Sequence, residues 1–182
     1  YKVIFSNHIG MHITVKNLLD IEKNIKVHLD SYNINNYPKI IAVSKTFKID
    51  KILPLIEYGQ VNFGENKVQE ALEKWTEIKK INSEIKLHMI GKLQTNKVKF
   101  AVKLFDYIHS VDSEKLAKKI SDEQNKINKK IKIFLQVNIG DENQKSGIHK
   151  NEVAQLVYFC KEIGLEVIGL MCIPPVNIDP EV

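Results

Sequence analysis

Short apolar segments alternate with amphipathic segments along most of this 182-residue chain. Six apolar segments are typical of strands, and they span residues 40–45, 61–63, 87–90, 107–111, 131–139 and 165–173. The segments between them carry apolar residues at helical spacing, for example Val68, Leu72, Trp75 and Ile78. Strands that alternate with helices, roughly 20 to 35 residues apart, predict βαβ units and a parallel sheet.

Two architectures satisfy this alternation, an open doubly wound sheet and part of a (β/α)8 barrel. The chain has neither a G-x-G-x-x-G motif after its first strand nor a G-x-x-x-x-G-K-[ST] motif, and this weakens the nucleotide-binding open sheet. Polar residues gather where the strands end, among them Lys45, Asn66 and Asn138. Both architectures place ligands at that edge, so the pattern locates a site without choosing the fold.

Several helices have recognisable capping residues at their ends in the sequence. Residues 14–31 form the first predicted helix, with one apolar stripe made by Leu18, Ile21, Ile25 and Leu29. Asp50 is the predicted cap of a helix that ends at Gly59. Asp112 or Ser113 caps a later helix, and Gly164 closes the last one.

Composition argues against a membrane-spanning or a nucleic-acid-binding protein. The chain is 43% hydrophobic and 27% charged, with a net charge of +5 spread along its length. No apolar run approaches the ~18 residues of a membrane helix, and no common nucleic-acid-binding signature is present. Cys160 and Cys172 both lie in apolar stretches, so we expect buried free thiols and a cytoplasmic protein. We expect no nucleic-acid, membrane or metal partner.

The most informative single residue is Lys45. It follows Ile40-Ile41-Ala42-Val43-Ser44, an apolar run that suits a strand buried on both faces. A lysine amine has a pKa of about 10.4 in water, and burial or a nearby cation lowers it toward the neutral, nucleophilic form. The alternative is a lysine that ends a strand and extends to water.

Six blocks in order carry a resemblance to a known family. They are AVSKT (42–46), FGENKVQE (63–70), HMIGKLQTNK (88–97), IHSVD (108–112), QVNIGDENQKSGI (136–148) and GLMCIP (169–174). This series resembles the pyridoxal-phosphate homeostasis protein family from about Met11 to about Pro175. The resemblance implies a TIM-type (β/α)8 barrel like the N-terminal domain of alanine racemase, of which this chain covers about six of the eight strands.

The resemblance also implies site residues. Lys45 would hold pyridoxal 5′-phosphate as a Schiff base, and Asn66 would contact the ring or its hydroxyl. His88 would contact the cofactor or act as a hydrogen-bonded structural histidine, and Met171 would pack near the ring or in the core. Lys145 is either a surface lysine or a second aldehyde acceptor.

The family pattern continues beyond this chain with a serine- and glycine-rich segment and an arginine-containing strand, which supply its phosphate site. We therefore expect residues 11–182 to be a single barrel domain that is truncated at its C-terminus. Residues 1–10 are expected to be an upstream extension or a vector-derived scar.

The implied function is to bind pyridoxal phosphate and serve in its intracellular homeostasis as a monomeric carrier without catalytic turnover. Its further partners would be apo enzymes that use this cofactor. Two alternatives stay open, a weak pyridoxal-phosphate-dependent amino-acid racemase and a cofactor-free interaction module.

Overall fold

The structure, a computed structural model, describes residues 10–140 and 146–174. The described chain divides into two compact units. The first comprises the described residues up to Ile40 together with Thr46–Gln60, and the second comprises Ile41–Lys45 and the described residues from Val61 onward.

The first unit contains helices α1 (Ile13–Ser31) and α2 (Ile49–Tyr58). Helix α1 buries Val15 and Leu18, whereas Ile21 is 49% exposed, so the predicted four-residue stripe is only partly buried. The cap predicted for α2 is wrong, because Lys48 occupies the N-cap position and Asp50 lies in the first helical turn. An acidic residue there still interacts favourably with the helix dipole. Gly59 ends α2 with a φ of 110°, as predicted.

The second unit holds the whole sheet and the remaining helices. Its strands are β1 (Ala42–Val43), β2 (Asn62–Glu65), β3 (Lys86–Met89), β4 (Tyr107–Val111), β5 (Lys132–Gln136) and β6 (Glu166–Met171). Its α-helices are α3 (Val68–Ile81), α4 (Val98–Leu104), α5 (Glu114–Lys126) and α6 (Val153–Glu162). Short 3₁₀ turns at Thr95–Lys97 and Lys150–Glu152 precede α4 and α6.

The order of the strands decides between the two architectures. All neighbouring strands are parallel, and their order in the sheet is β1-β2-β3-β4-β5-β6. A doubly wound sheet reverses its strand order at a switch point, whereas a (β/α)8 barrel adds strands in sequence. The sheet is therefore a six-strand portion of the barrel type, as predicted, and within the described residues β1 and β6 do not pair with each other.

The strand before Lys45 differs from its prediction. Only Ala42 and Val43 form β1, and Val43 is 46% exposed, so a strand buried on both faces is wrong. The physical reason is its place at the edge of the described sheet, where β2 is its single strand neighbour. An edge strand has one side without ladder partners, and its side chains have fewer neighbours to bury them.

The second unit also contains the predicted helix ends at Ser113 and Gly164 and the two cysteines. Ser113 caps α5, because its side chain accepts a hydrogen bond from Leu116 N at 3.2 Å. Gly164 follows α6 with a φ of 77°. Cys160 is buried as predicted, whereas Cys172 is exposed, which corrects the prediction. Cys172 comes directly after β6, which pairs only with β5 in the described sheet.

Candidate functional site

Lys45 lies at the carboxyl end of β1. Buried Ser44 follows the strand, and Lys45 and Thr46 then form a turn. The Lys45 side chain is exposed, and within the described residues its amine makes no hydrogen bond or ion pair. Thr46 has a φ of 66°, a left-handed conformation that is unusual for a β-branched residue. The turn therefore presents an accessible primary amine at the carboxyl edge of the sheet.

Asn66 occupies the equivalent place after β2. A Cβ placed on Gly91 would lie 2.3 Å from the backbone oxygen of Asn66 and 2.7 Å from its Cα. Only glycine permits this approach of the segment after β3 to the backbone of Asn66. The Oδ1 atom of Asn66 is buried and has no hydrogen-bond partner among the described residues. Such atoms are rare in proteins, so this acceptor is a candidate for contact with a ligand.

The strand register places the predicted residues at two depths. Val43 pairs with Gly64, and Gly64 pairs with His88. Lys45 comes two residues after Val43, and Asn66 comes two residues after Gly64. Both residues therefore lie at the carboxyl edge of the sheet. His88 is two residues nearer the amino ends of the strands, a depth of roughly 6 to 7 Å. Met171 pairs with Gln136 on the far side of the sheet, at the ends of β5 and β6.

His88 is part of a buried polar cluster. Its Nε2 lies 3.0 Å from Asn62 Oδ1, and its Nδ1 lies 2.9 Å from His109 Nε2. Because the amide oxygen accepts, His88 Nε2 donates, and His88 Nδ1 in turn accepts from His109. The His88 ring also stacks on Tyr107, with centroids 4.2 Å apart. Both nitrogens of His88 are thus engaged in the sheet, and its contact with the cofactor stays a prediction.

Burial lowers the pKa of His88 to about 4, helped by the neighbouring His109, and burial likewise lowers the pKa of His109 to about 4. The folded protein therefore holds both rings neutral, whereas the unfolded chain takes up protons from about pH 6.5 downward. We expect the free energy of unfolding to fall as the pH falls from about 6.5 to about 4. Urea titrations across this range measure it, and His109→Gln, which removes one titrating ring, should make the fall shallower. A free energy of unfolding that stays constant across this pH range would contradict the prediction that both rings are neutral in the folded protein.

Two cavities open near these residues. One, with a volume of about 580 Å³, is lined by Asn66 and by residues that follow β3, including Gly91 and Lys92. The other, of about 250 Å³, is lined by Gly91 and Lys92 together with Gln136 at the end of β5 and with Asn138 and Ser146 beyond it. Of the four predicted site residues, only Asn66 lines either of these cavities. Lys145 lies outside the described residues.

The sequence did not identify Glu65 and Lys74, two residues that contact Ser44 beside Lys45. Glu65 ends β2 and is fully buried, and its Oε1 accepts a hydrogen bond from Ser44 Oγ at 2.7 Å. Lys74 on α3 donates to the same Oε1 at 2.9 Å and to Ser44 O at 2.8 Å. The predicted strand ended at residue 63, and the structure extends β2 to Glu65, whose buried carboxylate needs a partner.

The sequence matches the alanine racemase N-terminal domain family over residues 17–181. A pyridoxal phosphate homeostasis protein of Pasteurella multocida is 35% identical over 161 residues, which cover 87% of this chain and 69% of the relative. The chain belongs to the pyridoxal phosphate homeostasis protein family. The member from Escherichia coli K12 is 36% identical over 137 residues, which cover 74% of this chain and 58% of the relative.

Solved structures agree with this family and with its fold. PipY of Synechococcus elongatus, solved without PLP, has a TM-score of 0.72 and 33% identity, and the match covers 85% of this chain and 73% of PipY. The PLP-bound form of PipY gives a TM-score of 0.67, 34% identity and coverage of 85% and 72%. A histidine racemase of Leuconostoc mesenteroides, at 16% identity and a TM-score of 0.64 over 85% of this chain and 38% of that one, shows the shared fold alone. Within the described part of this family member, no helix is both long and apolar enough to cross a membrane.

Proposed function

We propose that this chain binds pyridoxal 5′-phosphate through Lys45 and serves as a carrier that holds the cofactor and passes it on. The observation that carries this proposal is the accessible amine of Lys45 at the carboxyl edge of the sheet. Its relative PipY binds PLP on the same fold at 34% identity. The relatives are named as homeostasis proteins rather than as enzymes.

Lys45 and Asn66 offer groups that suit the aldehyde and the ring of such a cofactor. When bound, pyridoxal phosphate supplies an aldehyde, which forms a carbon–nitrogen double bond with a primary amine, releases water and is freed by the reverse reaction. Lys45 presents that amine without a competing partner in the described chain. Asn66 offers a buried acceptor for a donor group such as a ring hydroxyl. In this proposal His88 supports the site from the deeper level, and Met171 gives apolar contact from β6.

The exposure of Lys45 favours a carrier over an enzyme. Water reaches its amine, and hydrolysis of the linkage is the step that a carrier needs in order to release its load. Catalysis on an amino acid gains instead from a site that excludes water and from a second acid or base on the opposite ring face. The buried pair of His88 and His109 is a poor base, because burial lowers the pKa of each ring to about 4.

Exchange of the α-proton of an amino acid separates a carrier from an enzyme. We expect L-alanine, incubated with the loaded protein in deuterated water, to exchange no faster than with the same concentration of free pyridoxal phosphate. The same loaded protein should restore the activity of an apo enzyme that depends on pyridoxal phosphate. Proton exchange well above the blank, lost in Lys45→Ala, would establish the racemase alternative and contradict this proposal.

A further inference from the structure

Ser44, the residue before Lys45, is held at three of its polar atoms. Its N–H donates to Gly64 O at 2.9 Å, and its Oγ donates to Glu65 Oε1 at 2.7 Å. Its carbonyl oxygen accepts from Lys74 Nζ at 2.8 Å. That oxygen belongs to the peptide group that joins Ser44 to Lys45. The position of the Lys45 backbone is therefore tied directly to a side chain on α3.

Glu65 is the centre of this arrangement. Besides Ser44, its Oε1 accepts from Lys74 Nζ and from Trp75 Nε1, both at 2.9 Å. Glu65 and Trp75 are fully buried, and the Lys74 side chain is 9% exposed. Charged groups at such positions are costly to bury unless they are paired and hydrogen-bonded. Three donors converge on Glu65 Oε1, so several hydrogen bonds hold the pair of Glu65 and Lys74 next to Ser44. The other oxygen, Glu65 Oε2, is buried without a hydrogen-bond partner among the described residues.

Within the described residues, the strand that leads into this turn is short and has a neighbouring strand on one side. Strand β1 has two residues and pairs only with β2. The side chain of Lys45 has no partner in the described part, and Thr46 takes up a strained φ of 66°. Strained residues persist where their surroundings hold them, and they cluster at functional sites. The hydrogen bonds of Ser44 hold the backbone directly before Lys45.

We propose that Glu65 and Lys74 are positioning residues for Lys45, which hold the Ser44–Lys45 peptide so that the amine is placed for its reaction with an aldehyde. This inference rests on the proposed function, because it gives the pair a role in attachment of the cofactor. The competing explanation is that the pair only stabilises the packing of α3 on the sheet. The two explanations differ in what happens at Lys45 when the protein remains folded.

A matched control lies on the same helix. Lys79 also pairs with a carboxylate, Asp106 Oδ2 at 2.7 Å, and donates to a carbonyl oxygen, Leu104 O at 2.9 Å. Its partners lie just before β4, at the amino end of the strands and away from Lys45. Lys74→Met and Lys79→Met thus each remove a carboxylate pair and a hydrogen bond to a carbonyl oxygen, the first in the middle of α3 and the second in its last turn. Lys74 also pairs with Glu70 Oε1 at 3.0 Å, within the same helix. The double variant Glu65→Gln, Lys74→Met leaves no unpaired buried carboxylate and covers the case in which Lys74→Met alone fails to fold.

The first measurement is the rate at which pyridoxal phosphate attaches to Lys45, followed by absorbance at a temperature where circular dichroism shows every variant folded. We expect Lys74→Met, or the double variant, to slow attachment about tenfold or more, because a displacement of about 1 Å costs up to 10²-fold in reactions between positioned groups. Lys79→Met should match the wild type, and Lys74→Arg should recover part of the rate. Equal rates in the Lys74→Met and Lys79→Met proteins would overturn the positioning role while leaving the carrier function intact.

A second measurement needs no cofactor. The exchange of the Ser44 amide hydrogen, which donates to Gly64 O, is followed by NMR in the unloaded proteins. We expect exchange to be about tenfold faster in Lys74→Met, as the loss of a hydrogen bond from a charged group predicts, and unchanged in Lys79→Met. If wild-type protein does not bind the cofactor, the proposed function fails, and the positioning role fails with it. An unchanged Ser44 exchange rate in Lys74→Met would overturn the positioning role alone.

Discussion

We expect Lys45→Ala to abolish covalent attachment of pyridoxal phosphate to this protein, which is the largest of the predicted effects. The variant removes the accessible amine at the carboxyl end of β1 and nothing else that the described fold depends on, because the side chain is exposed and without partners there. We expect the absorbance band of the protein-bound cofactor to disappear, with a change in the free energy of unfolding of about 0.5 kcal/mol or less. Spectral titration and urea unfolding measure the two quantities.

Lys39→Ala is the control for this prediction. Lys39 is an exposed lysine that precedes β1, so its loss changes the net charge equally without touching the turn. It should keep the full absorbance band. A Lys45→Ala protein that still forms the band, with the adduct on another lysine, would show that attachment is not specific to this turn.

Gly91→Ala should give a large loss of stability. The added Cβ would lie 2.3 Å from Asn66 O and 2.7 Å from Asn66 Cα, and both are backbone atoms that cannot turn aside. Overpacking typically costs about 1 to 3 kcal/mol, and a clash with backbone atoms belongs at the upper end. Asn66 must also move, so we expect weaker binding of pyridoxal phosphate together with the loss of stability. Urea unfolding and a binding titration on the same protein test both effects.

Two other glycines complete this series. A Cβ on Gly169 would meet ring atoms of Phe134 at 3.1 Å, and a side chain can adjust, so Gly169→Ala should cost about 1 kcal/mol or less. A Cβ on Gly10 would meet nothing within 4 Å, so Gly10→Ala should be close to neutral. Equal losses in all three variants would contradict the close approach at Gly91.

The sequence predicts the strands and helices well, because the hydrophobic pattern of each element depends on residues close together in the chain. Apolar segments that alternate with helical stripes identify the parallel strands, and the capping residue Ser113 is placed correctly because a cap acts within one turn. Lys45 could be placed at a strand end for the same reason. The pattern does not give strand order, and the observed order β1 to β6 is what selects the barrel type.

The errors arise where neighbours distant in sequence decide the outcome. Val43 is exposed because β1 lies at an edge of the described sheet, and Cys172 is exposed after the other edge strand. Glu65 and Lys74 are recognisable as a pair only once α3 packs beside the turn at Ser44. The interlocked rings of His88 and His109 likewise depend on the register of β3 against β4.

The central claim is that the amine of Lys45 carries pyridoxal phosphate, and peptide mapping tests it most directly. The wild-type chain is mixed with pyridoxal phosphate, reduced with borohydride, digested and analysed by mass spectrometry. Our account predicts a visible absorbance band before reduction and one dominant reduced adduct, on Lys45. A folded protein that stays colourless, or an adduct spread over many exposed lysines, would contradict it.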